Sequence, residues 1–154
     1  MLTKEEQKDI EEELKIVPYK KAATTEALKI IQKHRGWVSD EAVKDIAEFL
    51  AITPDEVDGV ATFHSLIFRR EVGKHVILLC DSVCCYILGY RRILEQLKKK
   101  LNIQFGETTT DGKFTLLPIS CLGTCDHAPA MMIDNDLHQD LTPEKVDSIL
   151  EKYP

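Results

Sequence analysis

The stretch His75-Val76-Ile77-Leu78-Leu79-Cys80-Asp81-Ser82-Val83-Cys84-Cys85 decides how the second half of the chain is read. Its first six residues form a short apolar run with β-branched members, the pattern of a buried strand. The run ends in a loop carrying three cysteines. Further on, Thr115-Leu116-Leu117 leads through Pro118-Ile119-Ser120 into Cys121-Leu122-Gly123-Thr124-Cys125, a second β-prone run followed by a cysteine loop. The two loops are separated by 35 residues, Tyr86 to Ser120, enough for a helix and a hairpin that fold them together. Ile87, Leu88, Ile93, Leu94, Leu97 and Leu101 supply the helical pattern, giving an expected helix over Tyr86–Leu101. Asp111-Gly112 is a tight-turn signal between the β-prone arms Thr108–Thr110 and Phe114–Leu117. Ala130–Asp134 reads as another strand, followed by a turn at Asn135-Asp136. Thr142-Pro143 opens a last helix with Val146, Ile149 and Leu150 inward. The order β-α-β-β-α defines an α/β or α+β domain.

Four thiolates from two loops suit a metal or iron–sulfur centre, with two sulfurs from each loop on each metal ion. Choosing Cys85 gives C-x4-C with C-x3-C; choosing Cys84 gives C-x3-C twice. Structural zinc and thioredoxin-type dithiols use tighter C-x2-C spacings, which are absent here. The longer spacings suit a flat 2Fe–2S rhombus, and a zinc-stabilised interaction module is the alternative of another class. Such a cluster is anionic and belongs near backbone N–H groups. Cys85, at the start of the expected Tyr86–Leu101 helix, is placed for the helix dipole to favour its thiolate. Gly123 lets the backbone approach the sulfurs. His127, two residues past Cys125, is a candidate hydrogen-bond partner near the centre. His34 reads as a core or boundary residue, Lys98-Lys99-Lys100 as a helix C-terminal complement, and Met131-Met132 as strand packing.

The composition agrees with this class. The 154 residues are 44% hydrophobic and 30% charged, as in ordinary globular chains. The net charge of −6 is the wrong sign for a dedicated nucleic-acid binder. The longest apolar runs, Val76–Cys80 and Val83–Tyr90, fall far short of the ~18–20 residues that cross a bilayer. Met1-Leu2-Thr3-Lys4-Glu5-Glu6 has no apolar core of a signal peptide, so a cytosolic chain without direct membrane insertion is expected. Five cysteines in such a chain argue against a disulfide framework. The seven glycines form neither a G-x-G-x-x-G fingerprint nor a phosphate loop, so hydride chemistry has to come from a partner.

All five cysteines lie beyond residue 79, and the first half reads as helices. Residues 1–73 carry 11 basic and 15 acidic side chains, net −4, against 9 and 11, net −2, in residues 74–154. A boundary is expected near Glu71-Val72-Gly73-Lys74, giving an N-terminal helical bundle over 1–73 and a cysteine-bearing domain over 74–154. Thr3-Lys4-Glu5-Glu6 and Thr53-Pro54-Asp55-Glu56 are capping boxes, and Ser39 caps a helix with Ala42, Val43, Ile46, Ala47, Phe49 and Leu50 inward. Ala27, Leu28, Ile30, Ile31 and His34 define a helix that stops at Gly36. Val60–Phe68 reads as another helix or an interdomain contact.

These segments together resemble the thioredoxin-like 2Fe–2S ferredoxin family, and within it the E-type subunits of NADH-quinone oxidoreductase (respiratory complex I). The resemblance runs through Glu26–Trp37, Val57–Phe63, Cys80–Cys85, Leu117–Cys125 and Ala128–Ile133. It implies a helical bundle followed by a thioredoxin-like domain, with Cys80, Cys85, Cys121 and Cys125 as ligands of one 2Fe–2S cluster. It also implies electron exchange with FMN on a neighbouring NADH- and FMN-binding subunit. The holoenzyme would be an NADH dehydrogenase and proton translocase, and this chain a part of its peripheral arm on the cytoplasmic side of the membrane. The homologous subunit of an NAD-linked hydrogenase or formate dehydrogenase is the alternative host. Cys84 stands where the family has a non-ligand residue, which opens ligand exchange or another register. His64 stands where the family commonly has tyrosine.

Overall fold

Local capping sets the first helices. The Thr3 hydroxyl accepts from the Glu6 amide at 3.2 Å and the Glu6 carboxylate accepts from the Thr3 amide at 2.8 Å, which starts α1 (Lys4–Leu14). A 3-10 turn, Lys20–Ala23, leads into α2 (Thr24–Arg35), which ends on Gly36 in the left-handed region, φ +83°. Ser39 caps α3 (Asp40–Leu50), and a second reciprocal box at Thr53 and Glu56 starts α4 (Pro54–Phe63) with proline where no amide is needed. The computed structural model describes residues 1–154 and divides into two units, Met1–Glu71 and Val72–Pro154. In the first, Ile10, Leu28, Ile31, Ile46, Leu50 and Val57 form the core. Val60–Phe68 is not a separate helix: Val60–Phe63 continues α4, and Gln32 holds the loop beyond it, donating to the Leu66 carbonyl at 2.9 Å and accepting from the Phe68 amide at 2.6 Å. His34 is exposed rather than in the core or at its boundary, with its ring nitrogen 2.9 Å from the Asp9 carboxylate on the surface.

Glu6 is buried and accepts a two-pronged hydrogen bond from Arg35, at 2.6 and 2.7 Å. The guanidinium outweighs the cost of burial and holds the carboxyl at about 2, against an ordinary 4.5. A depressed folded-state value stabilises the fold above the ordinary carboxylate range, and that stabilisation is lost as pH falls toward about 2. Glu6→Gln is therefore expected to flatten the loss of stability on acidification, measured by urea unfolding at about pH 6 and about pH 3. An equal acid sensitivity in the two proteins would contradict the assignment.

The second unit is α+β. Its sheet runs β2-β1-β3-β4, with β1 (His75–Cys80) parallel to β2 (Phe114–Ile119) and antiparallel to β3 (Met131–Ile133), which pairs with β4 (Asp136–His138). Five of the six β1 residues are buried, as a strand between two neighbours and under helices should be. Pro118, which lacks an amide donor, sits on the edge strand β2. Helices α5 (Val83–Leu88), α6 (Tyr90–Leu101) and α7 (Pro143–Leu150) complete the unit. The core joins Ile77, Leu79, Ile93, Leu97, Leu116, Met131, Ile133 and Val146.

The expected helix over Tyr86–Leu101 is two helices. Gly89 adopts φ +120°, a conformation that L side chains rarely take, so the chain leaves α5 there and α6 begins at Tyr90. The Asp111-Gly112 turn forms, with the Gly112 amide donating to Thr109 at 2.8 Å. Its first arm contributes only an isolated bridge, Thr108 to Thr115. A further strand, β4, follows the turn at Asp134, whose φ is +54°. No helix is long and apolar enough to cross a membrane.

Candidate metal centre

Both cysteine loops leave the same ends of two parallel neighbours. The register pairs Cys80 with Ile119, so the chain after β1 and the chain after β2 emerge side by side. Cys80 closes β1 and is buried; Cys85 is the third residue of α5 and is also buried. Cys121 and Cys125 are exposed, the latter opening a 3-10 turn over Cys125–His127. Their sulfurs lie 4.0 Å apart. Two thiolates on one tetrahedral metal at ~2.3 Å are ~3.8 Å apart by simple geometry, so this spacing fits a pair sharing one metal.

The backbone converges on the sulfurs from both loops. Burial raises the Cys80 thiol, but hydrogen bonding with the Ser82 backbone and side chain, with Cys85 and with the Leu122 backbone outweighs it and leaves the thiol below its ordinary value; the thiol donates to the Ser82 hydroxyl at 3.6 Å. Leu122 belongs to the second loop and Cys80 to the first, so the loops touch at this sulfur. The Ala130 amide reaches Cys85, and the Gly123 amide donates to the Cys121 sulfur at 3.3 Å. Gly123, at φ +74°, supplies the turn that aims this amide back. N–H groups aimed at sulfur favour the anionic, metal-ligating form.

Cys85 does not have the depressed thiol expected from a helix start. Burial first, then the neighbouring Cys80, push it up to about 11. The six-residue α5 offers too little dipole to offset desolvation beside a second sulfur. Cys125 is likewise pushed up to about 11, by hydrogen bonding to Cys121 and then to Cys84. Thiols that oppose each other's ionisation can all be thiolate when cations lie among them, since a metal deprotonates its thiol ligands. The donor set therefore fits a cationic iron core.

Cys80 lies with Cys85, and Cys121 with Cys125, with Cys121 close enough to Cys85 to raise it electrostatically. No three His, Cys, Asp or Glu side chains gather round a single point; the sulfurs are disposed as pairs. His127 is engaged elsewhere, with its ring nitrogen 3.1 Å from Asp140. Met131 is buried and Met132 half-buried, as strand packing. Lys98 lies over the Phe105 ring rather than only completing the α6 terminus. No local pattern marks the Leu122 and Ala130 amides, because backbone groups become sulfur partners only through tertiary folding.

A helical unit followed by a thioredoxin-like sheet, with paired cysteines at the ends of two parallel strands, defines a class of iron–sulfur electron carriers. Residues 10–154 match the family described as thioredoxin-like [2Fe-2S] ferredoxin, and the chain belongs to that family. It is 55% identical over 152 residues to the E subunit of NADH-quinone oxidoreductase from Escherichia coli (strain K12), covering 99% of this chain and 92% of that protein. It is 50% identical over 153 residues to the E subunit of NADH-quinone oxidoreductase from Pseudomonas aeruginosa, covering the same shares. Among solved structures, the NAD+-reducing [NiFe]-hydrogenase in its H2-reduced state matches with a TM-score of 0.69 at 23% identity, over 82% of this chain and 22% of that one. This last likeness is one of fold.

Proposed function

We propose that the chain is the 2Fe–2S electron-transfer subunit of an NADH:quinone oxidoreductase, with Cys80, Cys85, Cys121 and Cys125 as cluster ligands. Residues 74–154 form the cluster domain and residues 1–73 a helical bundle. The observation that carries this reading is the parallel register of β1 and β2, which pairs Cys80 with Ile119 and brings the two cysteine loops out side by side. The C-x4-C and C-x3-C spacings support a two-iron rhombus over a zinc site, which favours C-x2-C. A bound 2Fe–2S cluster supplies one-electron acceptance and donation. Ser82, Leu122, Gly123 and Ala130 hold the thiolates through N–H donors, and β1 and α5 bury two of them.

The flavin chemistry belongs to a partner: NADH and FMN are bound by the neighbouring subunit of the peripheral arm, on the cytoplasmic side of the membrane. That subunit docks beside the exposed Cys121–Cys125 loop. Alongside, α5 leaves Val83 68% and Ile87 75% exposed, with Tyr86 and Leu88 about half exposed. Affinity purification of the tagged chain from its host tests the reading. Peripheral- and membrane-arm subunits of the oxidoreductase are expected to accompany it, and Ile87→Glu to reduce their yield at least ~10-fold by burying a charge in the contact. Recovery with a hydrogenase or molybdenum subunit instead would overturn the choice of host.

A further inference from the structure

Ser82 stands at the N-cap of α5 with φ −69° and ψ 166°, the extended backbone usual there, yet its hydroxyl bonds no amide of the helix. In the same position on α1, α3, α4 and α7, the hydroxyls of Thr3, Ser39, Thr53 and Thr142 each accept from an amide three residues on. The Ser82 hydroxyl is instead turned back to the Cys80 sulfur, 3.6 Å away. A residue placed where a cap belongs is used on the sulfur. In the thiol form Cys80 donates to this oxygen. A metal-bound thiolate has no proton to give, and a serine hydroxyl hydrogen rotates to suit its partner. The same contact then runs from the hydroxyl to the sulfur.

We propose that the Ser82 hydroxyl raises the reduction potential of the centre by donating to the Cys80 thiolate. One-electron reduction adds a negative charge to the cluster and its sulfurs, and a donor at a sulfur stabilises the more negative state. Cys80 is buried and Ser82 half-buried, so water is a poor substitute for the donor, and the low local dielectric strengthens the bond. The hydroxyl keeps its proton in both states. Ser82 touches a ligand and not the iron, which makes it a positioning residue. This inference rests on the cluster reading above.

The test loads full-length wild type, Ser82→Ala and Ser82→Thr anaerobically with ferrous iron and sulfide, and titrates each with dithionite against mediator dyes. At the wild-type midpoint the reduced-to-oxidised ratio of Ser82→Ala is expected to fall at least ~5-fold. That is a midpoint lower by at least ~40 mV, at about 59 mV per tenfold for one electron. Ser82→Thr keeps the hydroxyl and is expected to remain within ~2-fold of wild type. Pulsed paramagnetic resonance of the reduced proteins in D2O gives a second measure: Ser82→Ala lacks a coupled exchangeable deuteron that wild type shows. A loaded Ser82→Ala with the wild-type potential, or with the wild-type deuteron signal, overturns the inference and leaves the cluster reading standing. A Ser82→Thr that keeps the deuteron but shares the Ser82→Ala shift overturns it too. So does a Ser82→Ala chain that stays empty beside a loaded wild type, since the hydroxyl would then serve assembly. A wild type that takes up no cluster defeats both.

Discussion

Cys80→Ala and Cys121→Ala are each expected to cut bound iron at least ~10-fold, because each removes one of the four proposed ligands. Cys80 is the sulfur on which the loops meet: it is buried at the end of β1 and receives N–H donors from Ser82 and Leu122. Removing it takes away a ligand and leaves those donors without an acceptor. Cys121 is the sulfur that receives the Gly123 amide and lies 4.0 Å from Cys125. Its loss leaves one sulfur of that pair. Iron and visible absorbance per chain give the readout, and Cys84→Ser serves as the control with a spectrum close to wild type. A Cys121→Ala chain with full iron would remove Cys121 from the ligand set.

Leu79→Ala has the largest expected effect on folding. Leu79 is fully buried at the centre of the sheet, with Pro118 on one side and Met131 on the other. Truncating such a residue costs about 2–5 kcal/mol through lost transfer energy and an unfilled cavity. For a unit of this size the loss corresponds to a fall in Tm of at least ~10 °C, read by calorimetry. Cys80 follows directly on β1, so the damage also reaches the centre, and iron retention during heating should fall in parallel. Leu137→Ala, at a partly exposed position on β4, should stay within about 0.5 kcal/mol of wild type. Equal effects at the two positions would contradict the assigned core.

Helix starts are legible because their chemistry is local. Thr3, Ser39, Thr53 and Thr142 each bond an amide three residues on, and a sequence displays both partners. The buried strand β1 is legible for the same reason, as six successive residues state its environment. The division at Gly89 is harder: apolar spacing continues from Ile87 to Ile93 across it, and only the glycine hints that the backbone takes φ +120° there. β4 is three residues long and paired only with β3, too short for a periodic pattern. At the centre, spacing and family resemblance point to the four cysteines. Their thiol chemistry is not legible, since the raised Cys85 follows from burial and from Cys80 five residues away.

The most direct measurement is iron and acid-labile sulfide per chain after anaerobic purification, with paramagnetic resonance of the dithionite-reduced protein. About two irons and two sulfides, with a rhombic signal on one-electron reduction, are predicted. Stoichiometric zinc without sulfide, and no signal on reduction, would contradict the account.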